Sequence, residues 1–305
     1  SVLTEMKRTR WHGECRARKR KPSKLIIAIV MAMCFAGFLL VRLTTVDKLC
    51  EEAPLKPKQK WNQNKKVIAF TLFHPDFNST DPEHEQTEKV IFFRGLVQGL
   101  RSNSRAARLY FPDWILRVYV IGLSAETEST LLEGNDNVEL VRCTSPKLTG
   151  AKVTSSMKMI SRFLAHDDQR VLYFISRDLD SVLNPREMFA IHEWISSGAF
   201  VHIMRDHKYH EAPMMGGMFG MKRGALTPHH VNMLDLLTGF FSSRRKGGFH
   251  GQDQAFLANH VWPLVTNVTL NHDIDIKRCR RLGSIHTQCY NFPVSGTKQG
   301  ERLYV

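Results

Sequence analysis

Thiols are scarce in this sequence. Six cysteines occur in 305 residues, and the spacings of Cys50, Cys143, Cys279 and Cys289 form no zinc pattern, so a structural metal held by these thiolates is not expected. Internal repeats are absent, so solenoid and propeller architectures are excluded. Low-complexity sequence is confined to one segment near the N-terminus. Acidic residues are nearly missing from the first 24 positions. There Lys7, Arg8, Arg10, Arg16, Arg18, Lys19, Arg20, Lys21 and Lys24 face only Glu5 and Glu14, so half of the formal net charge of +14 sits in this tail.

The tail abuts an unbroken apolar run, residues 25–41 (LIIAIVMAMCFAGFLLV). Seventeen residues at about 1.5 Å each make roughly 26 Å of helix, near the lower limit for crossing a bilayer. Charge on its N-terminal side places residues 1–24 in the cytosol and the rest in a lumen, as a single-pass type II membrane protein. The short span suits the thin membranes of the early secretory pathway, so a Golgi or endoplasmic reticulum membrane is expected. A cleaved signal peptide is the alternative. No small-x-small site comes cleanly after the run, and both readings leave the body lumenal or extracellular. A basic tail beside a membrane span gives little reason to expect nucleic acid as a partner.

Residues 42–66, rich in Lys, Pro, Gln and Asn, read as a stem. Residues 67–305 read as one domain. Asn78 and Asn267 stand in N-x-S/T sequons, expected glycosylation sites in a lumen. Four cysteines lie beyond the span, Cys50, Cys143, Cys279 and Cys289, which permit three pairings. Proximity favours Cys279 with Cys289.

Within the domain, Val67–Phe73, Ile115–Gly122, Val138–Val141, Val171–Ser176 and Phe200–Arg205 are apolar, β-branched runs of strand length. Between them, Glu85–Arg105, Ser155–His166, Pro185–Ser196 and Asp253–Trp262 carry helical spacing. Strands alternating with helices predict an α/β layered fold with a mostly parallel sheet, whose ligands bind at the carboxyl ends of the strands.

The segment VLYFISRDLDS, Val171–Ser181, runs an apolar strand into Asp178 and Asp180. In extended geometry residues i and i+2 point to one side, so both carboxylates can converge. Their repulsion calls for a cation, and Mg²⁺ or Mn²⁺ would leave positions open for diphosphate oxygens. The alternative is that they cap the helix at Pro185 or lie in a solvated loop.

The stretches FISRDLDSVLNPREMFAIHEWISSG and HIMRDHKYHEAPMMGGMFGMK resemble a family of nucleotide-diphospho-sugar transferase-like proteins with a GT-A-type fold. They share its R-D-x-D-S strand end, its R-D-H-x-x-H…M-G-G-M-x-G block and a later G-x-D-Q motif. The resemblance covers about Met157–Cys289. It implies a Rossmann-related mixed sheet, mostly parallel and flanked by helices, and a nucleotide-sugar donor.

By that resemblance Arg162, Arg177, Asp178 and Asp180 are donor-binding residues, and Asp178, Asp180 and His286 are metal ligands, with His272-Asp273 an alternative to His286. Ser161 stands where many members carry Trp. Arg162 could instead form a buried ion pair with Asp178 or Asp180. Arg205, Asp206, His207 and His210 would contact acceptor or donor sugar, or else form a structural turn. Gly216 and Gly217 would let backbone approach a sugar or phosphate, or else make a tight turn. Asp253, with Gln254 beside it as a substrate contact, would be the catalytic base or orient the acceptor; its alternative role is a helix N-cap.

The expected function is metal-dependent transfer of a sugar from a nucleotide-sugar donor to a glycan, protein or lipid hydroxyl. The alternatives are a catalytically inactive Golgi membrane protein of the same fold that binds glycan or a partner, and a metal-dependent phosphohydrolase or nucleotidyltransferase.

Overall fold

Strand β1, Lys65–Phe73, is buried on both faces, which is why Val67–Phe73 is apolar at every position but Thr71 rather than alternating. A computed structural model describes residues 49–51, 64–74, 83–149, 155–243, 251–283 and 287–291. The basic tail, the apolar run 25–41, Asn78 and His286 lie outside the described residues. Among those described, no helix is long and apolar enough to cross a membrane.

After β1 come α1 (Glu83–Tyr110), β2 (Trp114–Ile121), α2 (Ala125–Leu132), β3 (Val138–Arg142) and the single turn α3 (Pro146–Thr149). Next are α4 (Ser155–Met159), which tightens into a 3-10 helix over Ile160–Asp167, then β4 (Val171–Arg177), α5 (Pro185–Ser197) and β5 (Val201–Arg205). The chain continues through β6 (Met218–Lys222), α6 (Met233–Ser243), α7 (Gln252–Phe256), a π-helical turn at Leu257–Val261 and α8 (Trp262–Val265). It closes with β7 (Thr269–Asp273), α9 (Ile276–Leu282) and β8 (Gln288–Asn291).

The eight strands form one sheet in the order β3-β2-β1-β4-β6-β5-β7-β8. All pairings are parallel except those of β6, which runs antiparallel to both β4 and β5. The sheet is therefore mixed and mostly parallel, as the alternation of elements predicts. Its first four strands have the doubly wound order 3-2-1-4, so the chain reverses its direction of growth between β1 and β4. A ligand crevice is expected there, beyond the carboxyl ends of those strands.

Alternate residues of the strands face two helical layers. Ile68, Phe70, Val118 and Ile175 pack with Leu100 of α1 and with Ile191 and Trp194 of α5. Val67, Ala69, Phe174, Ile203 and Phe219 pack with Phe163, Phe256, Val261 and Leu237. Burial of each such side chain contributes about 1.5–3 kcal/mol. Helix α5 begins at Pro185 as its sequence predicts, but Asn184, not Asp178 or Asp180, caps it, accepting from the Glu187 amide at 3.1 Å, and Gly198 ends it at φ 76°.

Strand β6 is not among the strands expected from sequence, where the glycines of this segment read as a close approach to ligand or a tight turn. The strand accommodates Gly220 because a Cβ there would lie 2.8 Å from Ile175 Cγ2 and 2.9 Å from the Phe174 carbonyl oxygen. Residues 49–51, inside the expected stem, belong to this domain: Leu49 is buried in its core, Glu51 donates its amide to the Arg142 carbonyl, and Cys50 is bonded to Cys143.

Candidate active site

Strand β4 stops at Arg177, so the expected extended placement of Asp178 and Asp180 is corrected: Asp178 succeeds the strand and Leu179–Asp180 form a turn. Leu179 is buried and Asp180 exposed. Helix α1 holds this turn. Asn103 donates to the Leu179 carbonyl at 3.3 Å and accepts from the Leu183 amide at 3.0 Å. Gly99 lies so close that a Cβ there would come within 2.0 Å of the Leu179 oxygen.

The centre of the site is Arg162, 1% exposed. Its Nη1 donates to the Arg177 carbonyl at 2.8 Å and to Asp178 Oδ1 at 2.5 Å. Its Nη2 lies 3.9 Å from Asp253 Oδ2. One guanidinium thus stands between a carboxylate from the end of β4 and another from the first turn of α7. Of the two readings the sequence leaves open, the ion pair with Asp178 is the one observed.

Gly216 and Gly217 close over this group. A Cβ on Gly216 would lie 2.4 Å from Asp253 Oδ2, and one on Gly217 would lie 1.9 Å from Asp178 Oδ2. Their carbonyls are fixed by Ser176 Oγ at 2.6 Å and Arg177 Nη1 at 3.0 Å. Only glycine permits backbone to pass so near the two carboxylates.

The carboxylates are driven apart in acidity. Burial works against the charge of Asp178, but Arg162, with Arg177 and His210, outweighs it and holds this carboxyl below its ordinary value. For Asp253 burial dominates over the attraction of Arg162, and with the repulsion of Asp178 it raises the pKa. Two nearby acids with opposite shifts can divide into a permanent anion and a proton acceptor.

Arg177 is anchored below the site, with Nη2 2.6 Å from Glu187 Oε1 and 2.8 Å from Ser181 Oγ. Burial raises the Glu187 carboxyl despite this partner. Arg205, expected as a substrate contact, is engaged within the fold. It is wholly buried, paired with Asp273 at 3.1 Å, and donates to the Ala212 and Pro213 carbonyls. Arg278 joins the same Asp273 at 2.5 Å and reaches the Lys208 carbonyl at 3.2 Å. This Arg–Asp–Arg triad ties down the loop that carries Asp206, His207 and His210.

In that loop His210 Nδ1 lies 2.9 Å from Asp206 Oδ1, and burial of Asp206 is outweighed by His210, which keeps its carboxyl below the ordinary value. His207 is half-buried and accepts from the Tyr209 amide through Nδ1 at 3.3 Å. Asp253 is not an N-cap; Gly251 holds that position at φ 82°. Gln254 is half-buried in the same first turn.

Among the described residues no three His, Cys, Asp or Glu side chains are grouped to hold an ion. Asp178 is committed to Arg162, and His286 lies outside the described residues. His272, its alternative, is buried between His202 Nε2 at 2.7 Å and Glu193 Oε2 at 2.9 Å. Elsewhere, Asn267 is exposed, and Cys279 is bonded to Cys289. Ser176, Glu187, Asn103 and Gly99 enter the site without having been anticipated. Glu187 has a signal in the R-E pair that opens α5; the other three have none.

No protein-family model matches the chain, and no curated protein sequence matches it. Among solved structures it is similar to 4-diphosphocytidyl-2C-methyl-D-erythritol synthase from Anaerococcus prevotii. The identity is 8% and the TM-score 0.38, over 79% of this chain and 92% of that one. A likeness of that degree carries no chemistry across, so the site rests on its own geometry.

Proposed function

We propose that the domain is a glycosyltransferase that takes a sugar from a nucleotide-diphosphate donor. The observation that carries this reading is the Arg162 guanidinium held between Asp178 and Asp253 against the Gly216–Gly217 backbone. It stands at the carboxyl end of β4, beside the point where a doubly wound sheet reverses and binds ligands.

The crevice beyond β1 and β4 receives the nucleotide. Asp178, kept anionic by Arg162, accepts hydrogen bonds from donor hydroxyls. Asp253, with its raised pKa, takes the proton of the acceptor hydroxyl as the acceptor oxygen bonds to the anomeric carbon. The nucleoside diphosphate leaves with the electron pair of the broken bond. Gly216 and Gly217 let the sugar approach the backbone. A divalent ion, when bound, would offset diphosphate charge; the described residues do not form its site, and no step here depends on it. Two disulfides, Cys50–Cys143 and Cys279–Cys289, favour an oxidising compartment such as the Golgi or endoplasmic reticulum lumen.

Thermal unfolding of the purified protein with UDP-, GDP- and CMP-sugars, each with and without Mn²⁺, tests the reading. A donor at about 100 times its Kd stabilises the fold by about 2.7 kcal/mol. Failure of every nucleotide sugar to raise the midpoint, in either arm, would overturn it.

A second reading, a non-catalytic binding protein on the same fold, is favoured by the engagement of Asp178 with Arg162 within the fold. It expects donor or glycan binding with no turnover, and a turnover assay on a stabilising donor separates the two.

A further inference from the structure

We propose that Asn267 carries an N-linked glycan whose first sugar is seated on Phe200. Neither residue belongs to the site at Asp178. Asn267 is exposed in the 3-10 turn Thr266–Val268 that leads into β7. It opens onto a pocket of about 180 Å³ that it lines together with Gly198, Phe200, Val268 and Gln288. The volume is below that of drug-sized ligand sites and suits a single sugar ring.

The floor of this pocket is apolar and exposed. Phe200 and Val268 each retain 38% of their surface in solvent. The Phe200 amide donates to the Val268 carbonyl at 3.0 Å, which fixes the two residues side by side where β5 and β7 begin. Lys222 Nζ lies 5.4 Å from the ring centroid and leaves part of the ring open. A pyranose presents a face of C–H groups, and the negative face of an aromatic ring attracts their positive edge. A sugar bonded to Asn267 starts at the edge of the pocket that this residue lines, so seating it loses little chain freedom. The Gln288 amide is at hand for its hydroxyl or acetamido groups.

The bond forms between the Asn267 amide nitrogen, which loses one proton, and the anomeric carbon of a lipid-diphosphate oligosaccharide. The lipid diphosphate leaves with the electron pair. Thr269, the hydroxyl residue of the sequon, is 1% exposed in the fold and donates to the Val265 carbonyl at 2.6 Å. The transferring enzyme therefore meets this sequon before the domain closes.

The full chain is produced in cultured eukaryotic cells in an Asn78→Gln background, so that Asn267 alone remains. Peptide mass spectrometry is expected to find glycan on Asn267, and Asn267→Gln to lose one glycosidase-sensitive mobility step. Removing the glycan is expected to lower the unfolding midpoint by roughly 2–4 °C with Phe200 present, and by less than a third of that in Phe200→Ala. Phe200→Leu, which keeps apolar bulk without the ring, gives the same loss of coupling and decides the matter if the alanine variant does not fold. An unmodified Asn267 overturns the proposal. An equal fall in midpoint in all three proteins overturns the seat on Phe200.

Discussion

Asp178 and Asp253 share one guanidinium, yet their surroundings push them in opposite directions, and the difference has measurable consequences. Asp253→Asn keeps the shape of the side chain and removes its proton affinity. Turnover of the donor and acceptor should fall about 10²–10⁴-fold, with the donor Kd, measured by calorimetry, changed little. The acidic limb of the wild-type pH–rate profile should lie above that of an ordinary aspartate, because burial raises Asp253, and it should vanish in the variant.

A second residue reports on stability alone. Asp168 binds Arg170 at 2.8 Å and Arg117 at 2.9 Å. Burial works against its charge, but Arg170 and Arg117 prevail and bring its pKa from 3.8 to about 2. A depressed carboxyl stabilises the fold above its unfolded pKa, and that contribution disappears as pH falls through the folded value. Asp168→Asn should therefore cost roughly 3 kcal/mol near neutrality. In urea titrations the gap between wild type and variant should close between pH 3.8 and about 2.

At the level of elements, the turn after β4 depends on α1. Gly99→Ala would drive a methyl group against the Leu179 carbonyl, and backbone on both sides leaves it no room. The expected cost is about 1–3 kcal/mol, together with weaker donor binding because Asp178 and Asp180 ride on that turn. Gly95→Ala, on the same helix with nothing within 4 Å of its Cβ position, is the control. If both alanine variants keep wild-type donor affinity, the turn is not positioned by α1.

Such a contact between residues 80 apart leaves no trace in either local sequence, which explains much of what is and is not legible. Strands β1, β2 and β4 and helix α5 can be read to within two residues, because apolar runs of strand length and helical spacing that opens on a proline are local signals. Strand β6 escapes such a reading because its Gly220 answers Ile175 and Phe174 on a neighbouring strand. Strand β7, TLNHD, escapes it because its polar side chains are buried among distant partners such as Arg205 and His202. The site residues Arg162, Asp178 and Asp253 can be named from sequence. That Arg162 lies between the other two comes only from the fold.

Across the whole molecule, two covalent links close loops of very different size. Cys50–Cys143 spans 93 residues and Cys279–Cys289 spans 10. Loop-closure entropy gives about 4.7 kcal/mol for the first and about 2.8 kcal/mol for the second. Denaturant unfolding of Cys50→Ser/Cys143→Ser should therefore show the larger loss of stability, and equal losses would contradict the entropic account. The first link also decides how the domain bears load. Tension entering from the N-terminal side reaches Cys50 and passes through sulfur directly to Cys143, so β1, α1, β2, α2 and β3 are bypassed. When the molecule is pulled end to end, those elements can lose their packing but cannot be drawn out. Reduction of that bond should lengthen the stretched chain by roughly 310–330 Å, a step that optical tweezers resolve.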